Sequence, residues 1–535
     1  MRPPVVVVGS GASGVHFALS LLRKGFRVTM LDVGRHGADP VSPAVTMTGL
    51  KETLADPAGY FLGSRFGGVL LPTDDAEYYG IPPSKDHVFE PVAEFRLSSS
   101  GFAPLFSFAQ GGLAQAWTAG CYPFNVDELE DFPFSYGDLA PHYDEVARRI
   151  GVTGTADDLT RFMPQHDHLL PPLNLDQHSD RLLRTYESRR AKVNRRGAYI
   201  GRTRVATLSQ SLGSRQPCNY LGRCLWGCPR GALYTPFQTL QECRQFPGFE
   251  YIPGLEVTHF RVGAGSRVVA VVARGVDDGR EHEFPVERLA LAAGALLSTR
   301  IFLTSVFRHT GERIRLRGLM DNRQILVPFV NLGLIGQPFA AESYQYHLLG
   351  MGLEAGSRRD YIHAQITTLK TALTHPIIQR LPFDLATSIW VMRATHAALG
   401  IVNVNFHDTR RDENYVELGD DSETPRLRIH YAPPRDERAR IADTLRRVRR
   451  VLRTLGCVVP PGMAHVRPMG ASVHYAGTLP MARAAAPLTT TEHCQSRDFE
   501  NLFLVDGATF PFLPAKNITF TLMANAVRVA QTAFS

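Results

Sequence analysis

The spacing of apolar residues changes from one segment of the chain to the next, and each change predicts an element. Val5–Val8 is an unbroken β-branched run, the pattern of a parallel strand buried on both faces. After it, apolar side chains recur at helical spacing (Val15, Ala18, Leu22) until Gly25, which is placed to stop a helix. A second apolar run from Arg27 to Leu31 ends on Asp32. Glu287–Leu303, ERLALAAGALLSTRIFL, reads as an apolar strand running into a helix. YVELGD (415–420) and RLRIHY (426–431) alternate and predict strands of an antiparallel sheet. RDERARIADTLRRVRRVLRTLG predicts a surface helix ending at Gly456. The most apolar stretch, Leu385–Val404, is interrupted by Arg393 and His396 and reads as a buried element, not a membrane span. Thr153–Asn194 is loop-rich and shows no assignable period, and no internal repeat is visible.

Length and composition narrow this picture. A chain of 535 residues exceeds one ordinary core, so two domains built from interleaved segments are expected. With 44% apolar and 20% charged residues, the composition is that of a soluble globular protein. The net charge of +7 comes from scattered arginines, and the densest run, Arg446–Arg453, falls on the polar face of the predicted helix. No nucleic-acid partner and no transmembrane segment are expected. The first apolar run leads into a glycine loop rather than serving as a secretory core. Seven cysteines, an odd number, argue against a disulfide scaffold, and a cytoplasmic setting is expected. A periplasmic place, or attachment to a membrane through a partner subunit, is the alternative.

Between the first strand and helix lie Gly9, Gly11 and Gly14 in G-x-G-x-x-G spacing, with Ala12 and Ser13 among them. Small residues let a backbone approach a pyrophosphate, whose charge rests at the helix N-terminus, and Asp32 at the end of the second strand suits a ribose hydroxyl. Strand, glycines, helix, strand and acid in this order predict a Rossmann-like dinucleotide-binding domain, without separating NAD from FAD.

Four later segments carry a resemblance: QGGLAQAWTAGCYPFN (110–125), Glu287–Leu303, HYAGTLPM (474–481) and the closing NLFLVDGATFPFLPAKNITFTLMANAVRVA (501–530). With the first motif, the chain resembles the glucose–methanol–choline oxidoreductases, flavoproteins that oxidise alcohols. The resemblance implies an α/β fold with a discontinuous FAD-binding domain over roughly 1–60, 100–150, 200–310 and 465–535. It implies a second, α+β substrate domain on an antiparallel sheet over 310–465, with parts of 60–100 and 150–200. Besides the first loop and Asp32, the cofactor residues it implies are Gly111, Gly112, Leu113, Ala114, Trp117, Thr118, Val257, Ala293, Gly294, Asp506, Gly507, Ile518 and Thr519.

In that family the histidine opening H-x-x-G-T is the catalytic base, which here is His474, and Asn517 matches the residue that holds the substrate oxygen. Asn517 also suits the N-terminal cap of the last helix. Where relatives usually carry proline after it, this chain has Ile518. Covalent flavin attachment in the family uses a histidine near the glycine pair; Leu113–Gly120 contains none, which implies dissociable FAD.

The segment CNYLGRCLWGCPRG holds Cys218, Cys224 and Cys228. Spacing alone leaves a metal site, a disulfide or buried thiols open, although structural zinc wants a fourth ligand. The stretch resembles the loop that binds a 3Fe-4S cluster in the flavin subunit of bacterial glucose and fructose dehydrogenases, which implies a cluster and a cytochrome-like electron partner. The expected activity is oxidation of an alcohol, sugar or polyol, with electrons passed to a protein or quinone acceptor. The competing readings are an oxygen-using oxidase, a non-redox lyase on the same fold, and a non-catalytic flavin-binding subunit.

Overall fold

A computed structural model of the chain describes residues 4–37, 45–64, 66–69, 77, 79–93, 95–371, 373–419 and 426–534. Its organising layer is a five-stranded parallel sheet in the order Leu502–Leu504, Arg288–Leu291, Val5–Val8, Val28–Leu31, Phe249–Ile252. Val5–Val8 is the central strand and is buried along its whole length, as its unbroken β-branched run requires. The helix Ala12–Arg23 follows it and ends where Gly25 takes a φ of 80°. The closing helix Thr519–Thr532 lies against this first helix, and Phe17 meets Phe534 edge-on at 5.4 Å. A three-stranded antiparallel sheet, Leu255–Val262, Val268–Gly275 and Glu281–Pro285, packs with the helix Ala295–Thr310 in a second cluster.

The other large layer is antiparallel. Cys457–Val458, Gln324–Asn331, Leu399–Asn405, Ile362–Thr368, Leu349–Leu353 and Ala198–Arg202 lie side by side, and His465–Val466 also pairs with Gln324–Asn331. Ile325, Val327, Val402 and Val404 from this sheet pack with Val448, Val451 and Leu452 of the helix Glu437–Thr454. That helix exposes Arg446, Arg450 and Arg453, and the chain turns away at Gly456 (φ 83°).

The structure departs from sequence expectation in three places. Tyr415–Leu418 and Leu427–His430 are strands, but they belong to a separate four-stranded sheet that Leu97–Ser100 joins in parallel. Asp420, the last residue of the first alternating stretch, lies outside the described residues. Leu385–Val404 is not one buried element. Its first half, the helix Leu385–Thr395, buries only Ser388 and Met392 and leaves Trp390 68% exposed. Its second half is an inner strand of the antiparallel sheet, so the apolar run joins two elements with different surroundings. The stretch 153–194 holds the helices Gln177–Ser188 and Arg190–Asn194, the first capped by the Asp176 side chain on the Ser179 amide at 2.9 Å. The longer helix is almost wholly polar and buries His178, Ser179, Leu182 and Tyr186, so hydropathy showed little period. Among the described residues, no helix is long and apolar enough to cross a membrane.

Candidate active site

One cleft opens at the C-terminal ends of the parallel strands, between the sheets. Gly9, Gly11, Ala12, Ser13 and Asp32 line it from the first motif, and Gly112, Leu113 and Ala114 from the glycine-pair segment. Val257, Ala293, Gly294, Asp506, Gly507, Ile518 and Thr519 complete its wall, and His474 stands at the same cleft. Gly14, Gly111, Trp117, Thr118 and Asn517 do not line it.

The glycines separate by task. Gly9 takes a φ of 98°, and a Cβ there would lie 2.7 Å from the Ala292 carbonyl oxygen. A Cβ on Gly14 would lie 2.1 Å from the oxygen of Gly9, so Gly14 serves close packing of helix on strand. Nothing in the protein comes nearer than 3.9 Å to a Cβ on Gly11, so the bareness at Gly11 answers to a bound group. Gly111 and Gly112 take φ of 89° and 61°, and a Cβ on Gly112 would face Gly11 at 3.4 Å. The helices beginning at Ala12, Ala295 and Thr519 have no side-chain cap, and all three open on the cleft. Bare amides at converging helix ends suit the negative charge of a dinucleotide, and the residues present fit one. Gly14→Ala forces the first helix off its strand. Overpacking of this kind costs about 1–3 kcal/mol, so flavin affinity falls roughly 5- to 150-fold, as read by flavin absorbance per protein after dialysis.

Asp32 is held in place by residues the sequence did not single out. The Gly111 amide donates to Ser10 Oγ at 2.9 Å, the Ser10 hydroxyl donates to Asp32, and Tyr251 donates to the same carboxylate oxygen at 3.1 Å. Burial pushes the Asp32 carboxyl up to about 6, against the pull of these two hydroxyls. Asp506 lines the cleft with its carboxylate already engaged. It accepts from the Gly294 and Ala508 amides at 3.0 Å and from the Ser298 hydroxyl at 2.5 Å, fastening the helix that starts at Ala295. Trp117 turns away and donates its indole N–H to the Tyr234 carbonyl at 2.8 Å. Thr118 offers its carbonyl to the Tyr344 hydroxyl at 3.5 Å. Leu105–Ala109 also forms part of the wall. Its apolar sequence looks like core, and the bridge between Arg35 and Ala109, with the Leu105 amide donating to the Tyr475 hydroxyl at 2.8 Å, brings it here.

Asn517 stands just outside the lining and meets His474, which is part of it. The Asn517 amide nitrogen stands 3.4 Å from His474 Nε2, and Gln365 on the antiparallel sheet donates to Asn517 Oδ1 at 2.5 Å. Asn517 does not cap the closing helix: the cap position falls to Ile518 without a side-chain bond, because the Asn517 amide is committed to Gln365 and His474. Burial pushes the His474 imidazole down to about 4. Its loop is strained, with the β-branched Val473 at a φ of 58°. Asp321 holds that strain by accepting from the Gly470 amide at 2.6 Å and from the Ser472 hydroxyl, whose oxygen takes the His474 amide at 3.0 Å.

The cysteine loop gives the cluster expectation no support. Among the described residues, no three His, Cys, Asp or Glu side chains come together to hold a metal ion, and all seven cysteines are free thiols. Burial pushes the Cys218 thiol up to about 11 and Cys224 higher still, so both are protonated at neutral pH. Cys218, Cys224 and Cys228 pack against the main core, and the Trp226 ring meets Tyr60 and Phe61 at tilts of 36° and 53°.

The chain is similar to several known proteins. Residues 410–526 match the family model described as GMC oxidoreductase. Paromamine 6'-oxidase of Streptomyces fradiae is 24% identical, with 98% of this chain and 90% of that protein aligned. 6'''-Hydroxyparomomycin C oxidase of Streptomyces lividus is 22% identical over the same shares. 2-Methyl-1,2-propanediol dehydrogenase of Mycolicibacterium austroafricanum is 22% identical, covering 98% of this chain and 94% of that one. In fold, the chain is similar to pyridoxine 4-oxidase from Mesorbium loti (TM-score 0.61, 15% identity, 99% of each chain). It is also similar to Aspergillus oryzae formate oxidase (TM-score 0.61, 11% identity, 99% of this chain and 98% of that one).

Proposed function

We propose that this chain, a member of the glucose–methanol–choline (GMC) family of FAD-dependent oxidoreductases, oxidises a hydroxyl of a sugar or related polyol with His474 as the base. The observation that carries the reading is the meeting of His474 Nε2 and the Asn517 amide at 3.4 Å beside the dinucleotide cleft. FAD, when bound along the cleft, supplies the hydride acceptor. The alcohol's oxygen sits between the two side chains. Asn517 donates a hydrogen bond to it, and His474 Nε2 takes its proton as the carbon gives up hydride, which leaves a carbonyl product. Burial keeps the imidazole neutral at physiological pH, so a proton acceptor is present without prior deprotonation.

A polyhydroxylated substrate is supported by the polar surroundings of Asn517. Tyr122, His347 and His363 are buried there, and His347 Nε2 and His363 Nε2 have no hydrogen-bond partner among the described residues. Such groups are costly unless a ligand satisfies them. The names of the aligned relatives, two sugar-type oxidases and a diol dehydrogenase, agree with this class. The electrons pass on to dioxygen, or to a quinone or protein acceptor. Hydrogen peroxide formed under air marks the first acceptor, and turnover that requires a quinone marks the second.

The test is an anaerobic panel of sugars, polyols and amino sugars, followed by flavin absorbance. Bleaching by at least one of them is expected. Cleavage of a cyanohydrin without bleaching would replace this reading with the lyase. The cofactor is expected to be dissociable: acid precipitation leaves the flavin in the supernatant, and colour in the pellet would mean a covalent link.

A further inference from the structure

The side chain that meets the far nitrogen of His474 has no assigned task. Asn322 is 1% exposed, and both hydrogens of its amide are spent on carbonyl oxygens, Phe406 at 2.7 Å and Pro514 at 2.9 Å. A carbonyl only accepts, so these two bonds fix the direction of the amide. Its Oδ1 must point the other way, and it lies 3.0 Å from His474 Nδ1. An amide oxygen also only accepts, so Nδ1 must carry the ring proton. In a neutral imidazole that leaves the lone pair on Nε2, the nitrogen facing Asn517. Asn517 is set in the same way from its own side: Gln365 donates to Oδ1, which turns Nδ2–H towards His474.

We propose that Asn322 is a positioning residue that locks His474 in the Nδ1–H tautomer, so that the proton-accepting nitrogen always faces the substrate. The proposal rests on His474 being the base, and it adds how that base is kept ready. A neutral amide suits this task better than a carboxylate. It selects the tautomer without stabilising the imidazolium, so the base stays unprotonated in its buried site. The titratable side chains packed around the ring do not supply that charge either. His363 on the strand Ile362–Thr368 is held neutral by burial. Asp321 spends its carboxylate on Gly470 and Ser472, and Lys516 is paired with Glu128. Asp321 and Asn322 are adjacent, so one short segment both builds the strained loop under His474 and sets its proton.

The direct test is ¹⁵N NMR of histidine-labelled, FAD-loaded protein, with the His474 signal identified by its loss in His474→Gln. A protonated Nδ1 and a bare Nε2 are expected; a proton on Nε2 overturns the proposal whether or not any variant is active. Two variants extend it by anaerobic stopped-flow. Asn322→Leu removes the bond to Nδ1, so flavin reduction slows roughly ten-fold while flavin content and substrate Kd hold. Asn322→Asp adds a charge beside the ring, and the acid limb of the reduction rate moves up by about one pH unit or more. Both variants reducing at the native rate with the native limb would also overturn it. If His474→Ala itself reduces flavin normally, the base assignment fails, while the NMR result still reports the tautomer.

Discussion

His474→Ala lowers the rate of flavin reduction by an alcohol by a factor on the order of 10²–10⁴, the usual worth of a positioned general base. The imidazole Nε2 is set against the Asn517 amide, its one hydrogen-bond partner among the described residues. Burial holds the ring near a pKa of about 4. A base works only when neutral, and a lowered pKa widens the range in which it is neutral. The native rate is therefore flat from about pH 5 upwards and falls as pH drops through about 4. The alanine variant loses both the rate and that limb. Flavin content changes little, because the glycine loops and helix ends that cradle the dinucleotide are elsewhere in the wall. Asn517→Ala costs less, since it removes orientation but leaves the proton acceptor. Native-rate reduction in His474→Ala would refute the assignment.

The largest effect on stability is expected one residue before Asn517. Lys516 is fully buried, and its ammonium donates to Glu128 at 2.6 Å and to the carbonyls of Pro123 and Phe162 at 2.9 Å. All three ammonium protons are used, and Glu128 also takes the Asn125 amide at 2.7 Å. Burial pushes Glu128 up and Lys516 down; their attraction for each other opposes both shifts, and the Asn125 amide also holds Glu128 down. Removing one member of such a pair strands the other, at a cost of about 3–5 kcal/mol. Lys516→Met is expected to lose that much in denaturant titration of the flavin-loaded protein. Adding Glu128→Gln recovers part of it, because the amide needs no counter-charge yet still accepts from Asn125. A single variant within about 1 kcal/mol of native would show that the pair does not brace this loop.

The residues that were legible in the sequence are those whose meaning is local. Val5–Val8, the three glycines and Asp32 declare a strand, a loop and a helix within one stretch of chain, and the structure sets them in that order. His474 and Asn517 were legible only by resemblance, since a lone histidine has no local signal of its role. Asn322, Gln365, Ser10 and Tyr251 were not legible at all. Each acquires its task by meeting a partner far away along the chain, as Asn322 does with His474 across 152 positions. Lys516 was obscured for the opposite reason: a lysine ordinarily reads as surface, and here the carboxylate that justifies its burial lies 388 residues away. The cysteine loop carries a suggestive spacing whose cluster reading rests on resemblance alone, since among the described residues no three side chains come together to hold a metal ion.

The parallel sheet that carries the cleft also sets a schedule for the ribosome. The helix Ala12–Arg23 is among the first elements made, and it packs on Thr519–Thr532, among the last. At a translation pace of roughly 5–20 residues per second, the early helix waits on the order of 25–100 s for its partner. During that time the part of its face that meets the closing helix stays uncovered, and once Arg288–Leu291 is made, the edge that pairs with Leu502–Leu504 waits with it. The nucleotide loop is thus made well before Ile518, Thr519 and Leu522, which complete the wall of its cleft. A chain that stops short of residue 518 carries the glycine fingerprint without that wall.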